Sequence, residues 1–169
     1  MVYASPTPNQ TILARPLDVL VIDDHPPSRL LFETVIRAFG HRARLAASGE
    51  EGVRAAMAHA YDLILMDIAM PGMDGLETAR RIRAVSPARA AAPIVAVTAS
   101  VRAGLADAVA EAGMDAYLLK PIDFARLART MALLTKGSVD AAERDEVHQQ
   151  DDHQEPDNDA HRTHAMPRA

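Results

Sequence analysis

Cysteine and tryptophan are absent from the 169-residue sequence, and aromatic residues make up only 4% of it. Without cysteine the chain can form neither a disulfide nor a thiolate metal site, which fits a reducing compartment. No apolar run approaches the roughly 18–20 residues that a membrane-spanning helix needs. The N-terminus also lacks a basic segment followed by an apolar one, so no secretory signal is predicted. We therefore expect a cytoplasmic protein that does not insert into a membrane.

The net charge of −5 is unevenly distributed along the chain. Residues 137–169 hold nine acidic and three basic side chains and almost no large apolar residues, so we expect an acidic disordered tail. Residues 1–17 contain three prolines and several small polar residues, which predicts a flexible leader. The remaining segment, 18–136, is almost neutral and shows no basic face. We expect it to be one folded domain that binds no nucleic acid.

Five short apolar stretches alternate with segments of helical periodicity. Strands are predicted at residues 18–22, 42–46, 62–66, 94–97 and 116–119, and the later helices at about 49–59, 76–85, 101–112 and 124–134. Short apolar runs bounded by turn residues are typical of strands that are buried on both faces. The alternation predicts an α/β protein with a doubly wound, five-stranded parallel sheet and helices on both faces. Five such units match the flavodoxin-like strand order 2-1-3-4-5.

Polar side chains follow the long apolar strands at the point where each strand ends. They are Asp23 and Asp24 after the first strand, Asp67 after the third, Thr98 after the fourth and Lys120 after the fifth. Because the carboxyl ends of parallel strands share one edge of a sheet, we expect these side chains to surround a single crevice. Three carboxylates so close together need a cationic partner, and Mg²⁺ together with Lys120 can neutralise them.

This combination of acids, a lysine and a hydroxyl is typical of a phosphoryl-transfer site, where catalysis comes mainly from positioning and charge neutralisation. The cluster has no serine or cysteine nucleophile, whereas an aspartate can accept a phosphoryl group as an acyl phosphate. Asp67 is the best candidate for the acceptor because it stands alone at its strand end. The adjacent acids Asp23 and Asp24 are better suited to a metal ion. Ala99 is small, so a ligand could reach the backbone N–H groups beside Thr98.

Four segments together resemble the receiver domains of two-component response regulators. They are Val21–Asp24, Met66–Gly75, Val97–Ala99 and Tyr117–Pro121. Each segment alone is weak evidence, but the ordered set is specific and spans residues 18–134. The resemblance implies a single-domain receiver that takes a phosphoryl group from a phosphohistidine of a histidine kinase or a histidine phosphotransfer protein.

The resemblance also implies a role for each matching residue. The roles are phosphoacceptor for Asp67, phosphoryl binding for Thr98, Lys120 and the backbone of Ala99, and Mg²⁺ binding for Asp23, Asp24, Asp67 and the backbone carbonyl of Ala69. Asp23 would contact the metal through water. Thr98 and Tyr117 would form a conformational switch, and the Lys120–Pro121 peptide bond would be cis.

A receiver of this kind would be a signalling protein that catalyses only its own phosphorylation and dephosphorylation. The polar tail offers no output domain, so the signal would reach a downstream protein through the face formed by the fourth helix, fifth strand and fifth helix. One alternative is an aspartate-based phosphatase or phosphotransferase for small molecules. Such enzymes usually carry a second aspartate two residues after the nucleophile, where this chain has Ala69. A flavin-binding protein of the same topology is disfavoured by the acidic pair after the first strand.

Overall fold

A computed structural model of the protein describes residues 15–85, 91–100 and 103–135. The strands are β1 (Asp18–Ile22), β2 (Arg42–Ala46), β3 (Leu63–Asp67), β4 (Ile94–Thr98) and β5 (Ala116–Leu119). The helices are α1 (Pro26–Ala38), α2 (Gly49–Ala58), α3 (Gly75–Val85), α4 (Leu105–Glu111) and α5 (124–135). Strands and helices alternate as predicted. No helix in these described ranges is long and apolar enough to cross a bilayer.

The five strands form one parallel sheet in the order β2-β1-β3-β4-β5, which confirms the predicted topology. Ile22 at the end of β1 pairs with Met66 of β3, and Thr98 at the end of β4 pairs with Leu119 of β5. Neighbouring strands therefore end at nearly the same level. The residues that follow them are brought to one edge of the sheet, although they are far apart in sequence.

Alternate strand residues point to opposite sides of the sheet and join two separate apolar clusters. One cluster is covered by α2, α3 and α4 and includes Leu20, Ile22, Ile64, Met66, Ile94 and Ala96. The other is covered by α1 and α5 and includes Val19, Val21, Leu63, Leu65, Val95 and Val97. All of these strand residues are almost completely buried. Burial on both faces explains why the strands read as continuous apolar runs.

The folded domain begins before Asp18, where the sequence analysis placed its boundary. Leu17 is fully buried, and its backbone N–H donates to Nδ1 of His41 at 3.4 Å. Arg15 donates two hydrogen bonds to the carboxylate of Asp62. The predicted leader is therefore too long, because its last residues pack against the sheet. Residues 1–14 and 136–169, with the rest of the leader and the predicted acidic tail, lie outside the described residues.

Helix α4 begins later than the sequence predicts. Periodicity predicted a helix over residues 101–112, but α4 covers only Leu105–Glu111, and residues 101 and 102 lie outside the described residues. Gly104 precedes the helix with a φ of 77°, a left-handed conformation that a right-handed helix does not contain. The prediction was wrong at this end because a glycine within an apolar pattern does not reveal the sign of its φ angle.

The stability of the domain should depend on pH through His41. Burial lowers the pKa of His41 below its usual value of 6.5, although the carboxylate of Asp62 opposes the shift. The imidazole of His41 therefore binds a proton more readily in the unfolded chain than in the folded one. The contribution of neutral His41 to stability is complete above pH 6.5 and is lost as the pH falls through the folded-state pKa. Urea denaturation between about pH 5.5 and 7.5 should show a free energy of unfolding that decreases towards the acid side.

His41→Asn tests this prediction because it removes the titrating ring but keeps a hydrogen-bond acceptor for the N–H of Leu17. The variant should lose the acid-side decrease in stability. His59→Asn, at an exposed imidazole, is the matched control and should behave like the wild type. An undiminished decrease in His41→Asn would show that another group is responsible.

Candidate functional site

Three carboxylates converge at the carboxyl edge of the sheet. Oxygen atoms of Asp23, Asp24 and Asp67 lie within 4.8 Å of one another. Asp23 follows β1 and Asp67 ends the neighbouring strand β3, so the sheet register brings the two together. Asp23 is 1% exposed and Asp67 is 7% exposed. Such buried like charges repel each other unless a cation compensates them.

Lys120 supplies a cation to this acidic cluster. Its Nζ lies 2.7 Å from Oδ2 of Asp67 and 3.1 Å from Oδ2 of Asp23. Burial opposes the charge of the ammonium, but the hydrogen bonds that it donates to Asp67 and Asp23, together with their negative charges, outweigh this effect and raise the pKa of Lys120. The lysine therefore stays protonated at neutral pH. The peptide bond between Lys120 and Pro121 is cis, as the resemblance implied.

The loop after β3 holds the carboxylate of Asp67 in place. The backbone N–H of Ala69 donates to Oδ1 of Asp67 at 3.2 Å, while Lys120 contacts the other oxygen. The chain then returns towards the strand, since the N–H of Gly75 donates to the carbonyl of Ile68 at 3.0 Å. The start of α3 is thereby packed against the end of β3.

The donor set fits Mg²⁺, because carboxylate oxygens are its preferred protein ligands and it usually binds through only one or two of them plus water. Asp24 is only partly buried, and no described residue donates a hydrogen bond to its carboxylate. One carboxylate oxygen of Asp23 and one of Asp67 each form an ion pair with Nζ of Lys120. Ala69, whose carbonyl is a further expected ligand, is exposed and follows Asp67 by two residues.

Thr98 lies at the same edge but its hydroxyl is directed into its own loop. Oγ1 of Thr98 donates to the carbonyl of Ser100 and accepts from the N–H of Ser100, both at 3.3 Å. Thr98 is buried whereas Ala99 is exposed. The N–H of Lys120 donates to the carbonyl of Thr98 at 2.8 Å. The backbones of Thr98 and Lys120 are thus linked directly, and the hydroxyl has weak, replaceable partners.

Tyr117 lies on β5, three residues before Lys120. It is partly buried and packs against the apolar cluster on the α2–α3–α4 side of the sheet. This cluster contains Leu105 and Val109 of α4. The ring is therefore on the face where a change in the β4–α4 loop could be sensed.

Arg29 is a residue near the site that the sequence analysis missed. It lies in the first turn of α1, and its Nη1 donates to the backbone carbonyl of Asp23 at 2.7 Å. Side chains of a helix lean towards its N-terminus, so Arg29 reaches back over the turn that joins β1 to α1. The sequence offered one usable signal, an arginine close behind the helix start at Pro26.

The sequence profile of the response regulator receiver domain matches residues 19–132. This chain belongs to the receiver domain family. The acidic cluster, Lys120 and Thr98 all lie within the matched segment. The family match confirms, over residues 19–132, the resemblance inferred from four short motifs.

Two signalling proteins much longer than this chain are similar to the receiver. Sensor protein GacS of Pseudomonas syringae pv. syringae is 39% identical over 115 residues, covering 67% of this chain and 13% of that protein. Transcriptional regulatory protein ZraR of Salmonella typhimurium is 35% identical over 115 residues, covering 68% of this chain and 25% of that protein. The chain thus spans a quarter or less of the length of these relatives.

Solved structures of receiver domains have the same fold. The receiver domain of sensor histidine kinase PA1611 from Pseudomonas aeruginosa is 35% identical, with a TM-score of 0.66, and covers 72% of this chain and 98% of that one. That structure holds a magnesium ion in its active site cleft. The receiver domain of histidine kinase CKI1 from Arabidopsis thaliana, complexed with Mg²⁺ and BeF₃⁻, is 30% identical with a TM-score of 0.64, covering 70% of this chain and 89% of that one.

Gly75 should be essential for the geometry around Asp67. A Cβ atom at Gly75 would lie 2.2 Å from the carbonyl oxygen of Asp67 and 2.9 Å from Cα of Ile68. Both contacts are with backbone, so no side chain can move aside. We expect Gly75→Ala to lower the free energy of unfolding by about 1–3 kcal/mol, as overpacked sites do. Urea denaturation at neutral pH measures this change, and a variant as stable as the wild type would contradict the close packing.

Proposed function

We propose that the receiver accepts a phosphoryl group from a phosphohistidine onto Asp67 in a reaction that requires Mg²⁺. The observation that carries the proposal is the position of Asp67. Its carboxylate is clustered with those of Asp23 and Asp24, and one of its oxygens lies 2.7 Å from Nζ of Lys120. Membership of the receiver family and a similar receiver with magnesium in its cleft support the same reading.

The transfer needs little from the protein beyond position and charge. A carboxylate oxygen of Asp67 forms a bond to phosphorus as the bond between phosphorus and the donor imidazole breaks, and the imidazole leaves with the electron pair. Mg²⁺, held by Asp23, Asp24, Asp67 and the carbonyl of Ala69, would neutralise charge on the phosphoryl oxygens. Lys120 would exchange its contact with the Asp67 carboxylate for one with a phosphoryl oxygen. The backbone N–H of exposed Ala99 would donate to another oxygen.

Thr98 and Tyr117 would transmit the effect of phosphorylation to the surface of the protein. The Thr98 hydroxyl has only the 3.3 Å contacts with Ser100 to give up before it can donate to a phosphoryl oxygen. Its movement would change the β4–α4 loop beside the cluster on which Tyr117 packs. The response would then reach a downstream protein at the face of α4, β5 and α5. A phosphoryl group shifts an equilibrium between two conformations of the domain only through contacts that differ between those conformations.

The phosphoryl donor would be a histidine kinase or a histidine phosphotransfer protein. Two of the similar solved structures are receiver domains of histidine kinases, which supports this choice of donor. The sensor protein and the transcriptional regulatory protein are several times longer than this chain, so their activities are not carried over to it. We place this chain as a phosphorylated signalling protein and not as an enzyme that turns over a separate substrate. It would catalyse only its own phosphorylation and dephosphorylation.

The alternative of a small-molecule phosphatase has less support. Position 69, where such enzymes usually hold an acid–base aspartate, is alanine. The structure shows a cavity of about 300 Å³, but its lining includes Asp18, Arg42 and Tyr61 and none of the three clustered carboxylates. It lies where β1 and β2 begin, at the opposite edge of the sheet from Asp67.

Asp67→Asn should abolish phosphorylation by phosphoramidate or acetyl phosphate in the presence of Mg²⁺. An amide cannot act as the acceptor, although it preserves the shape of the side chain. Hydroxylamine-labile phosphate per chain measures the result, and EDTA should prevent incorporation into the wild-type protein. Asp74→Asn is the matched control, because Asp74 is an exposed acid on the same loop that accepts from the N–H of Glu77, and asparagine caps a helix equally well. Equal incorporation in Asp67→Asn would remove Asp67 from this role.

Thr98→Ala should separate phosphorylation from signalling. With Mg²⁺ and beryllofluoride as a phosphoryl mimic, the wild type should show amide NMR shifts through β5 and at the start of α4. Thr98→Ala lacks the donor that responds to the new oxygen, so these distant shifts should shrink while those beside Asp67 remain. Thr98→Ser keeps the hydroxyl and should resemble the wild type. Identical distant shifts in all three proteins would show that the coupling does not pass through Thr98.

A further inference from the structure

Four polar atoms of Asp23 are each held by a different partner. Its N–H donates to the carbonyl of Ala46 at 3.2 Å, and its Oδ1 accepts from the N–H of His25 at 2.8 Å. Lys120 contacts Oδ2, and Arg29 donates to the backbone carbonyl at 2.7 Å. Arg29 is thus the group that fixes the peptide unit between Asp23 and Asp24. None of these contacts reaches the Asp24 carboxylate itself.

The Asp24 side chain depends on the backbone for its direction. No described residue donates a hydrogen bond to its carboxylate, and it is only partly buried. The carbonyl held by Arg29 belongs to the same planar peptide unit as the N–H of Asp24. Rotation of this plane would change φ of Asp24 and turn its Cα–Cβ bond away from Asp67. A hydrogen bond to the plane therefore restricts where the Asp24 carboxylate can lie.

We infer that Arg29 is a positioning residue for the metal site, which holds the Asp23–Asp24 peptide so that the Asp24 carboxylate faces Asp67 before Mg²⁺ binds. The inference rests on the proposed Mg²⁺-dependent function, and it adds a residue of α1 to a site otherwise built from strand ends. Outer residues that orient metal ligands commonly change metal affinity by 10–100-fold when they are replaced. Arg29 contacts the backbone of Asp23 and has no hydrogen bond to the carboxylates of Asp23, Asp24 or Asp67.

The direction of the change in Mg²⁺ affinity when Arg29 is replaced distinguishes a positioning role from a purely electrostatic one. Arg29 is a cation close to three carboxylates, so its removal alone would reduce repulsion of Mg²⁺ and strengthen binding. Loss of the hydrogen bond to the Asp23 carbonyl would instead leave the Asp24 carboxylate less restricted and weaken binding. A weaker affinity after removal of a positive charge can therefore be assigned to positioning.

The test is a Mg²⁺ titration of the unphosphorylated 169-residue chain, in which the amide NMR shifts of residues beside Asp67 report binding. We expect Arg29→Ala to raise the dissociation constant about tenfold and Arg29→Lys to fall between it and the wild type. Arg37→Ala is the matched control, since Arg37 lies on the same helix but pairs with Glu33 at the surface. It should bind Mg²⁺ like the wild type.

A kinetic measurement completes the test. With phosphoramidate as donor, Arg29→Ala should need about tenfold more Mg²⁺ for half-maximal phosphorylation but reach a rate within about twofold of the wild type at saturation. An unchanged or tighter dissociation constant overturns the inference, and so does an equal loss of rate at saturating Mg²⁺. If Arg29→Ala does not fold, Arg29→Lys carries the same comparison. A wild-type protein that binds no Mg²⁺ would instead refute the proposed function itself.

Discussion

Two buried carboxylates, Asp23 and Asp67, share one ammonium, and Nζ of Lys120 bridges them at 3.1 and 2.7 Å. Buried like charges at this distance cannot coexist in the ionised form without such compensation. Removing one partner of a buried ion pair is strongly destabilising, because the other charge is left unpaired. The third carboxylate, Asp24, adds negative charge that Lys120 alone does not balance. The site is therefore held together by one cation, and its remaining negative charge favours the binding of a second.

The rest of the fold serves to bring these charges together. The charged residues lie at the ends of three strands, β1, β3 and β5, and the sheet buries the preceding residues in two apolar layers. The register places Ile22 beside Met66 and Asp67 beside Val97, so strand ends arrive level with one another. Gly75 then lets α3 begin directly against the backbone of Asp67. Apolar burial provides the stability, while the carboxyl edge gathers groups that would repel each other in isolation.

The sequence alone predicted the five polar side chains at the strand ends, because these depend on local patterns of apolar and turn residues. It predicted the strand order because five alternating strand–helix units match a known doubly wound topology. It did not predict features that depend on long-range contacts or on one dihedral angle. The left-handed Gly104 shortens α4 at its start, and Leu17 is buried by strands that begin after it. The contact between Arg29 and the Asp23 carbonyl could be predicted only if the direction in which α1 leaves β1 were known. The attachment of the Thr98 hydroxyl to Ser100 depends on loop geometry that composition does not encode.

If Lys120 balances a carboxylate cluster that also holds Mg²⁺, the two cations compete for the same oxygen atoms. The most direct measurement is the Mg²⁺ dissociation constant of Lys120→Met, by calorimetry at neutral pH, compared with that of the wild type. Methionine keeps much of the side-chain volume but removes the positive charge that contacts the carboxylate oxygens of Asp23 and Asp67. Lys120→Met should bind Mg²⁺ several-fold more tightly than the wild type, because the ammonium no longer competes with the metal ion. An unchanged or weaker affinity would show that Lys120 and Mg²⁺ do not share these carboxylates.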